Sequence, residues 1–239
     1  MTTGPRRSQR RTEALSRERI VEASVELLDA TGESGLTFRA LAQRLTTGPG
    51  ALYHHVAHKD ELLGAAVDAV VTAAVTVDPP GAAPLKGSPQ DAVRAVATGL
   101  FDATEAHPWL APQLAARLAR GHGGTAAPRI FESLGRQVRA MGAPRESWFT
   151  VTSALMHYIL GAAGQNAANA ANARTLGPDA SRARFLDAAS TAWEGLDPDD
   201  YPFTRAVADQ MRGHDDREQF LAGVDLVLAG IAASRPAAG

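Results

Sequence analysis

Cysteine is absent from this chain of 239 residues, so disulfides, thiolate zinc sites and a cysteine nucleophile are all excluded. Long hydrophobic runs are missing too: the apolar stretches are short and alanine-rich, no apolar signal core opens the chain, and residues 2–12 are polar and basic. These absences lead us to expect a soluble, unexported, cytoplasmic protein with no membrane partner. Strand-forming alternation is nearly absent. There is no nucleophile elbow, phosphate-binding glycine loop or HExxH spacing, and no enzyme activity or cofactor is expected.

Hydrophobic residues nevertheless make up 45% of the chain, enough for one large helical domain or a small head and a body. The net charge of −2 conceals an asymmetry, because Arg6, Arg7, Arg10 and Arg11 fall in the first dozen residues with no acid among them. Residues 1–15 read as a basic, flexible arm.

Ser16 can cap a helix bearing Ile20, Ala23, Leu27 and Leu28 at helical spacing, with Gly32 as its stop. Thr37 can cap a second, short helix that places Phe38, Leu41, Ala42 and Leu45 on one face. Gly48-Pro49 predicts the start of a third, running to about His55, since proline at the first helical position loses no needed hydrogen bond. A fourth helix is predicted from Lys59 to Val77, followed by a proline-rich connector from Asp78 to Pro89. Further helices are expected over Gln90–Ala106, Trp109–Arg120, Ala127–Met141, Arg145 to about Arg174, Pro178–Trp193, Phe203–Arg212 and Asp216–Ala233. The fold class is therefore all-α, with a three-helix head at residues 16–63 and a helical-bundle body at residues 64–239.

The head carries the functional signal. The segments Leu36–Leu45, Gly50–Val56 and Lys59–Leu63 make three short elements separated by tight turns. Such an arrangement lets one helix brace on phosphates while the next enters a major groove. Here the sequence resembles the TetR family, from Ser16 to Leu63. The resemblance implies that Thr37 caps the second helix and holds a phosphate, that Tyr53 and Lys59 clamp the backbone, and that Arg39, Pro49, Gly50 and His54 read bases. Arg39 is the strongest of these readers, because a guanidinium can bond guanine O6 and N7 together. Thr47, in the turn, completes the DNA-contact set, and the basic arm adds a phosphate or minor-groove contact. Two departures stand out: Thr46-Thr47 replaces the family's usual Gly-Val, and His58 stands where serine or asparagine usually caps. His54 and His58 are four apart, but they cross a helix boundary without a third ligand on the same face, and no metal site is expected.

A second resemblance, to the tetracycline-repressor-type C-terminal domain, lies in Tyr201-Pro202-Phe203, in Phe220–Ile231 and in Ser153–Gly161. It implies a homodimer in which the two longer segments pair across a twofold axis, with Leu155, Ile159, Phe220, Val224, Val227, Leu228 and Ile231 as interface candidates. A small-molecule effector is expected in the body, with Phe101, His107, Trp109, Phe131, Trp148, Met156, His157 and Asn166 as candidates, since aromatic walls with few polar groups suit a drug-sized molecule. Core packing is the competing reading for each aromatic. His157 is open between core, dimer contact and ligand donor. Together these features predict a ligand-responsive transcriptional regulator that binds a double-stranded DNA operator, a repressor released from a palindrome by a small hydrophobic molecule. A transcriptional activator, or a ligand-binding helical protein without a working head, is the alternative.

Overall fold

The computed structural model describes residues 15–75, 87–121, 124–175 and 182–234. The arginines of the arm and most of the expected connector lie outside the described residues. All regular structure among the described residues is helical: eleven α-helices and two single 3-10 turns. The chain divides into two compact units at Ala66/Val67.

In the first unit, Ser16 caps α1 (Arg17–Gly35) by accepting a hydrogen bond from the Arg19 amide at 3.3 Å. Ile20, Ala23, Leu27 and Leu28 are buried, as their spacing predicts. Gly32 stops the regular helix as expected: its backbone is non-helical there, with φ 68° and ψ −173°, and a short further helical turn then reaches Gly35. Thr37 caps α2 (Phe38–Arg44), accepting from the Ala40 amide at 3.1 Å. Gly48 precedes α3 (Pro49–Tyr53), which stops two residues short of the expected His55. α4 (Lys59–Ala74) follows as one unbroken helix, its residues from Val67 onward belonging to the second unit. Arg44 donates twice to Glu26, at 2.8 and 2.6 Å, and so ties α2 to α1.

The second unit is a bundle of α5 (Pro89–Ala106), α6 (Leu110–Arg120), α7 (Ala126–Ala140), α8 (Trp148–Thr175), α9 (Arg182–Glu194), α10 (Pro202–Ala206) and α11 (Asp216–Ala233). A reciprocal Ser88–Asp91 capping box starts α5. α8 runs through the centre, packed by α5, α6, α7 and α11. Phe101 and Phe220 meet there with ring centroids 5.0 Å apart.

Most of the residues expected at the dimer face are packed inside the protomer. Leu155, Ile159, Phe220, Val224, Leu228 and Ile231 are buried within a single protomer, and Val227 is half-buried. Their apolar stripe closes the protomer's own core, because α11 lies against α5 and α8. The exposed residues of α11 include Ala222, Leu226, Ala229, Gly230 and Ala233, with Asp225 and Ala232 among them.

Two close helix approaches depend on glycine. A Cβ on Gly99 would lie 2.2 Å from the Ala74 carbonyl oxygen, and one on Gly223 would lie 1.8 Å from Tyr158 Oη. Tyr158 donates that hydroxyl to the Phe220 carbonyl at 3.0 Å, and desolvation pushes its pKa above the ordinary phenol value. Backbone cannot swing aside as a side chain can. Gly99→Ala should therefore destabilise the protein by about 1–3 kcal/mol, visible as a melting temperature several degrees below wild type. An unchanged melting curve would show that α4 and α5 separate without cost.

Candidate nucleic-acid interface and ligand groove

No acidic residue occurs between Leu36 and Lys59, although Glu18, Glu22, Glu26, Asp29, Glu33, Asp60 and Glu61 flank that stretch on α1 and α4. The helix-turn-helix surface therefore carries Arg39, Arg44 and Lys59 without a carboxylate of its own. Arg39, Pro49, Gly50 and His54 are exposed, while Leu52 on the opposite side of α3 is fully buried. Burial of Leu52 thus turns the predicted base-reading positions outward.

Tyr53 is 57% exposed. Its ring stacks on Phe38 of α2 with centroids 4.5 Å apart and planes 8° from parallel. The stack holds the phenol in place and ties α3 to α2. Thr37 is exposed at the start of α2, where its hydroxyl caps the helix beside backbone donors suited to a phosphate. Lys59 is half-buried, and its ammonium donates to the Glu33 carbonyl at 2.6 Å, anchoring the end of α1. An ammonium has three protons, so this anchor leaves capacity for a phosphate.

The turn between α2 and α3 shows what the two departures do. Thr46 takes φ of 53°, the left-handed region that the family's usual glycine occupies without strain. Thr47 is half-buried, and its amide closes the end of α2 on the Ala42 carbonyl at 2.9 Å. His58 does replace the usual cap: its Nδ1 accepts from the Glu61 amide at 3.2 Å. Glu61 in turn accepts from the Ala57 amide at 2.9 Å and pairs with Arg17 at 2.9 Å, while Arg17 also donates to the His55 carbonyl at 2.8 Å. Sequence reasoning missed Arg17 and Glu61, which are 44 positions apart and carry no local signal of their pairing. The Ala57 amide, followed by Arg17, holds the Glu61 carboxyl below the usual glutamate range.

In the body, an open groove of about 680 Å³ lies among α6, α7 and α8, lined by Leu118, Ala127, Pro128, Phe131, Glu132, Phe149, Ser153, Met156, His157 and Leu160. A second hollow of about 440 Å³ adjoins it at Leu160 and is walled by small residues and prolines of α6 and α8. Of the effector candidates, Phe131, Met156 and His157 come together in the first groove. The other five do not. Phe101 packs on Phe220 in the core, and Trp109 is buried with its ring 5.8 Å from that of His107. Trp148 donates Nε1 to the Ala143 carbonyl at 2.7 Å, and the Arg139 and Arg145 guanidinium groups lie 5.7 and 5.8 Å from its ring centre. Asn166 reaches the Asp216 carbonyl at 3.5 Å. Sequence reasoning missed Phe149, 74% exposed and 5.7 Å from Phe131 between ring centroids. The signal was available as Phe149, Ser153, Met156 and Leu160, spaced to share one face of α8.

Together these parts define a helix-turn-helix head followed by a helical body with an apolar groove. Residues 20–66 match the profile of the bacterial regulatory proteins of the tetR family, and residues 81–235 match the tetracyclin repressor-like C-terminal domain. The chain belongs to the TetR family. It is similar to a solved transcriptional regulator described as a TetR from Streptomyces coelicolor, with 70% identity, 93% of this chain and 100% of that one covered, and a TM-score of 0.83. It is also similar to S. coelicolor ActR solved in complex with actinorhodin, with 26% identity, 95% and 100% covered, and a TM-score of 0.76. The HTH-type transcriptional repressor DrrR1 of Streptomyces coeruleorubidus is 31% identical over 67% of this chain and 57% of its own length. The chain spans about three-fifths of the length of the curated relatives it matches. No helix among the described residues is long and apolar enough to cross a membrane.

Two outcomes test the local analysis. Thr46→Gly should stabilise the protein by about 1 kcal/mol by relieving the left-handed strain, measured as a rise in the denaturant midpoint; a fall would mean that the threonine side chain is held by contacts worth more than the strain. For Glu61, a lowered folded pKa means that its contribution is complete above the ordinary glutamate pKa of about 4.3 and is lost as pH falls through the lower folded value. The stability gap between wild type and Glu61→Gln should therefore be widest at neutral pH and close in acid, as followed by chemical denaturation at several pH values.

Proposed function

We propose that this protein is a cytoplasmic, homodimeric DNA-binding transcriptional regulator, a repressor that a small hydrophobic molecule releases from a near-palindromic operator. One observation carries the reading: the stretch from Leu36 to Lys59, which contains no acidic residue, exposes α3, with Tyr53 at its end stacked in place on Phe38. In this reading Thr37, Tyr53 and Lys59 grip phosphates, Thr47 lies alongside in the turn, and Arg39, Pro49, Gly50 and His54 face the bases. DrrR1, named a transcriptional repressor, supports the output. ActR, solved with actinorhodin, supports a ligand site in the body. The groove between α7 and α8 is of a size for a drug-sized molecule.

Two heads about 34–36 Å apart would meet successive major grooves on one face of DNA. The dimer contact proposed here uses what the core leaves free: Leu226 with Ala222, Ala229 and Gly230 on α11, and Ala154, Gly161 and Ala168 on α8. Small residues let helix backbones approach closely, with Leu226 as the apolar anchor. Ligand in the groove favours a body arrangement in which α4 holds the heads at a spacing unsuited to the operator.

The described head has more acids than bases, so the arginines of the arm matter to affinity. A mobility shift with DNA flanking the protein's own gene should show specific, salt-sensitive binding. Arg39→Ala should cost about 1–3 kcal/mol and relax sequence preference. Deleting residues 1–11 should lower the slope of log affinity against log salt by up to about 7, since the dimer carries two arms of four arginines each. If no sequence outcompetes random duplex at moderate salt, the regulator reading fails.

A further inference from the structure

The N-terminus of α7 has no cap from its own residues. Thr125 stands at the capping position, with φ −100° and ψ −13°, and its side chain makes no capping hydrogen bond. The amides of Thr125 and Ala126 donate instead to Asp68 Oδ1 on α4, at 2.9 and 2.8 Å. A carboxylate suits this position twice over, since it satisfies orphan donors and faces the positive end of the helix dipole. Gly124 allows the approach: it has φ of +131°, and a Cβ there would lie 3.1 Å from Asp68 Oδ1. Asp68 is thus a long-range cap that joins α4 to the first turn of α7.

That turn is also a wall of the ligand groove, through Ala127 and Pro128. Leu118 and Ala127 line the groove on one side and, on the other, a small void of about 30 Å³ that also touches Val67 and Asp68. Close-packed interiors shift between discrete arrangements and do not deform smoothly. A ring that displaces Ala127 and Pro128 must either break both bonds to Asp68 or carry α4 along. α4 is continuous from Ala74 back to Lys59, a residue of the proposed DNA surface.

We propose that Asp68 is the positioning residue through which groove occupancy alters DNA affinity. The inference rests on the regulator reading given above. It also predicts something that mere packing of α7 would not: loss of Asp68 abolishes the coupling between groove and DNA, not DNA binding itself.

The absence of cysteine permits a direct test. Ser153 lines the groove, and Ser153→Cys provides a single thiol that adds across the double bond of N-phenylmaleimide, leaving a phenyl-bearing group in the groove. Affinity for the operator-bearing duplex is measured by fluorescence anisotropy at fixed salt, with and without label. Three full-length Ser153→Cys chains are compared, carrying Asp68, Asp68→Ala or Asp68→Asn. Labelling should weaken DNA binding roughly ten-fold when Asp68 is present, within the usual range of coupling between sites. The effect should shrink to less than about two-fold in Asp68→Ala and lie between the two in Asp68→Asn, which keeps an acceptor but not the charge. Thermal melting checks folding, and Asp68→Asn decides if the alanine variant does not fold. Equal weakening in all three chains, or no weakening with Asp68 present, overturns the proposal. Failure of the unlabelled Asp68 chain to bind any duplex specifically would instead strike the regulator reading, before a label is added, and the coupling would fall with it.

Discussion

A helix of five residues has no stability of its own, because nucleation fixes several dihedrals for almost no internal hydrogen bonds. α3 is such a helix, and its orientation depends on what surrounds it. Leu52 is buried beneath it, Gly48 and Pro49 start it, and the Phe38–Tyr53 stack binds its end to α2. The proposed DNA surface depends on these contacts, which hold the segment while leaving Pro49, Gly50 and His54 in solvent.

The corner leading into α4 is built from side chains that hydrogen-bond to backbone groups. Arg17, His58 and Glu61 satisfy backbone groups of Ala57, His55 and the first turn of α4. Lys59 does the same for the end of α1. Several residues here serve a helix end and lie near the proposed DNA face at once. That double use explains why a histidine can replace the family's usual cap: any acceptor aimed at the Glu61 amide will start the helix.

In the body, the logic is apolar. α8 is surrounded by four helices, and its buried stripe is matched by the stripe of α11. The groove opens where the side of α8 bearing Phe149, Ser153 and Leu160 is left uncovered by α6 and α7. Both the proposed ligand site and the proposed dimer contact thus lie on what the core did not use.

Local features were legible in the residues alone. Ser16, Thr37 and Pro49 announced helix starts, the 3.6-residue spacing announced buried faces, and the Leu36–Leu63 motif announced the head, because each depends on neighbours within a turn or two. What the sequence could not supply was the identity of the partner for each apolar face. Phe220, Val224 and Ile231 form an apolar stripe that reads as interface, and only the packing of α11 on α5 and α8 shows that they are buried within the protomer. Phe101 and Trp109 are likewise buried in the core, while Phe149 lines the groove. The carboxylate of Asp68 on the start of α7, 57 positions away along the chain, likewise has no trace in local pattern. Helix formation is decided over a few residues by backbone and spacing; burial and long-range capping are decided only when distant segments meet.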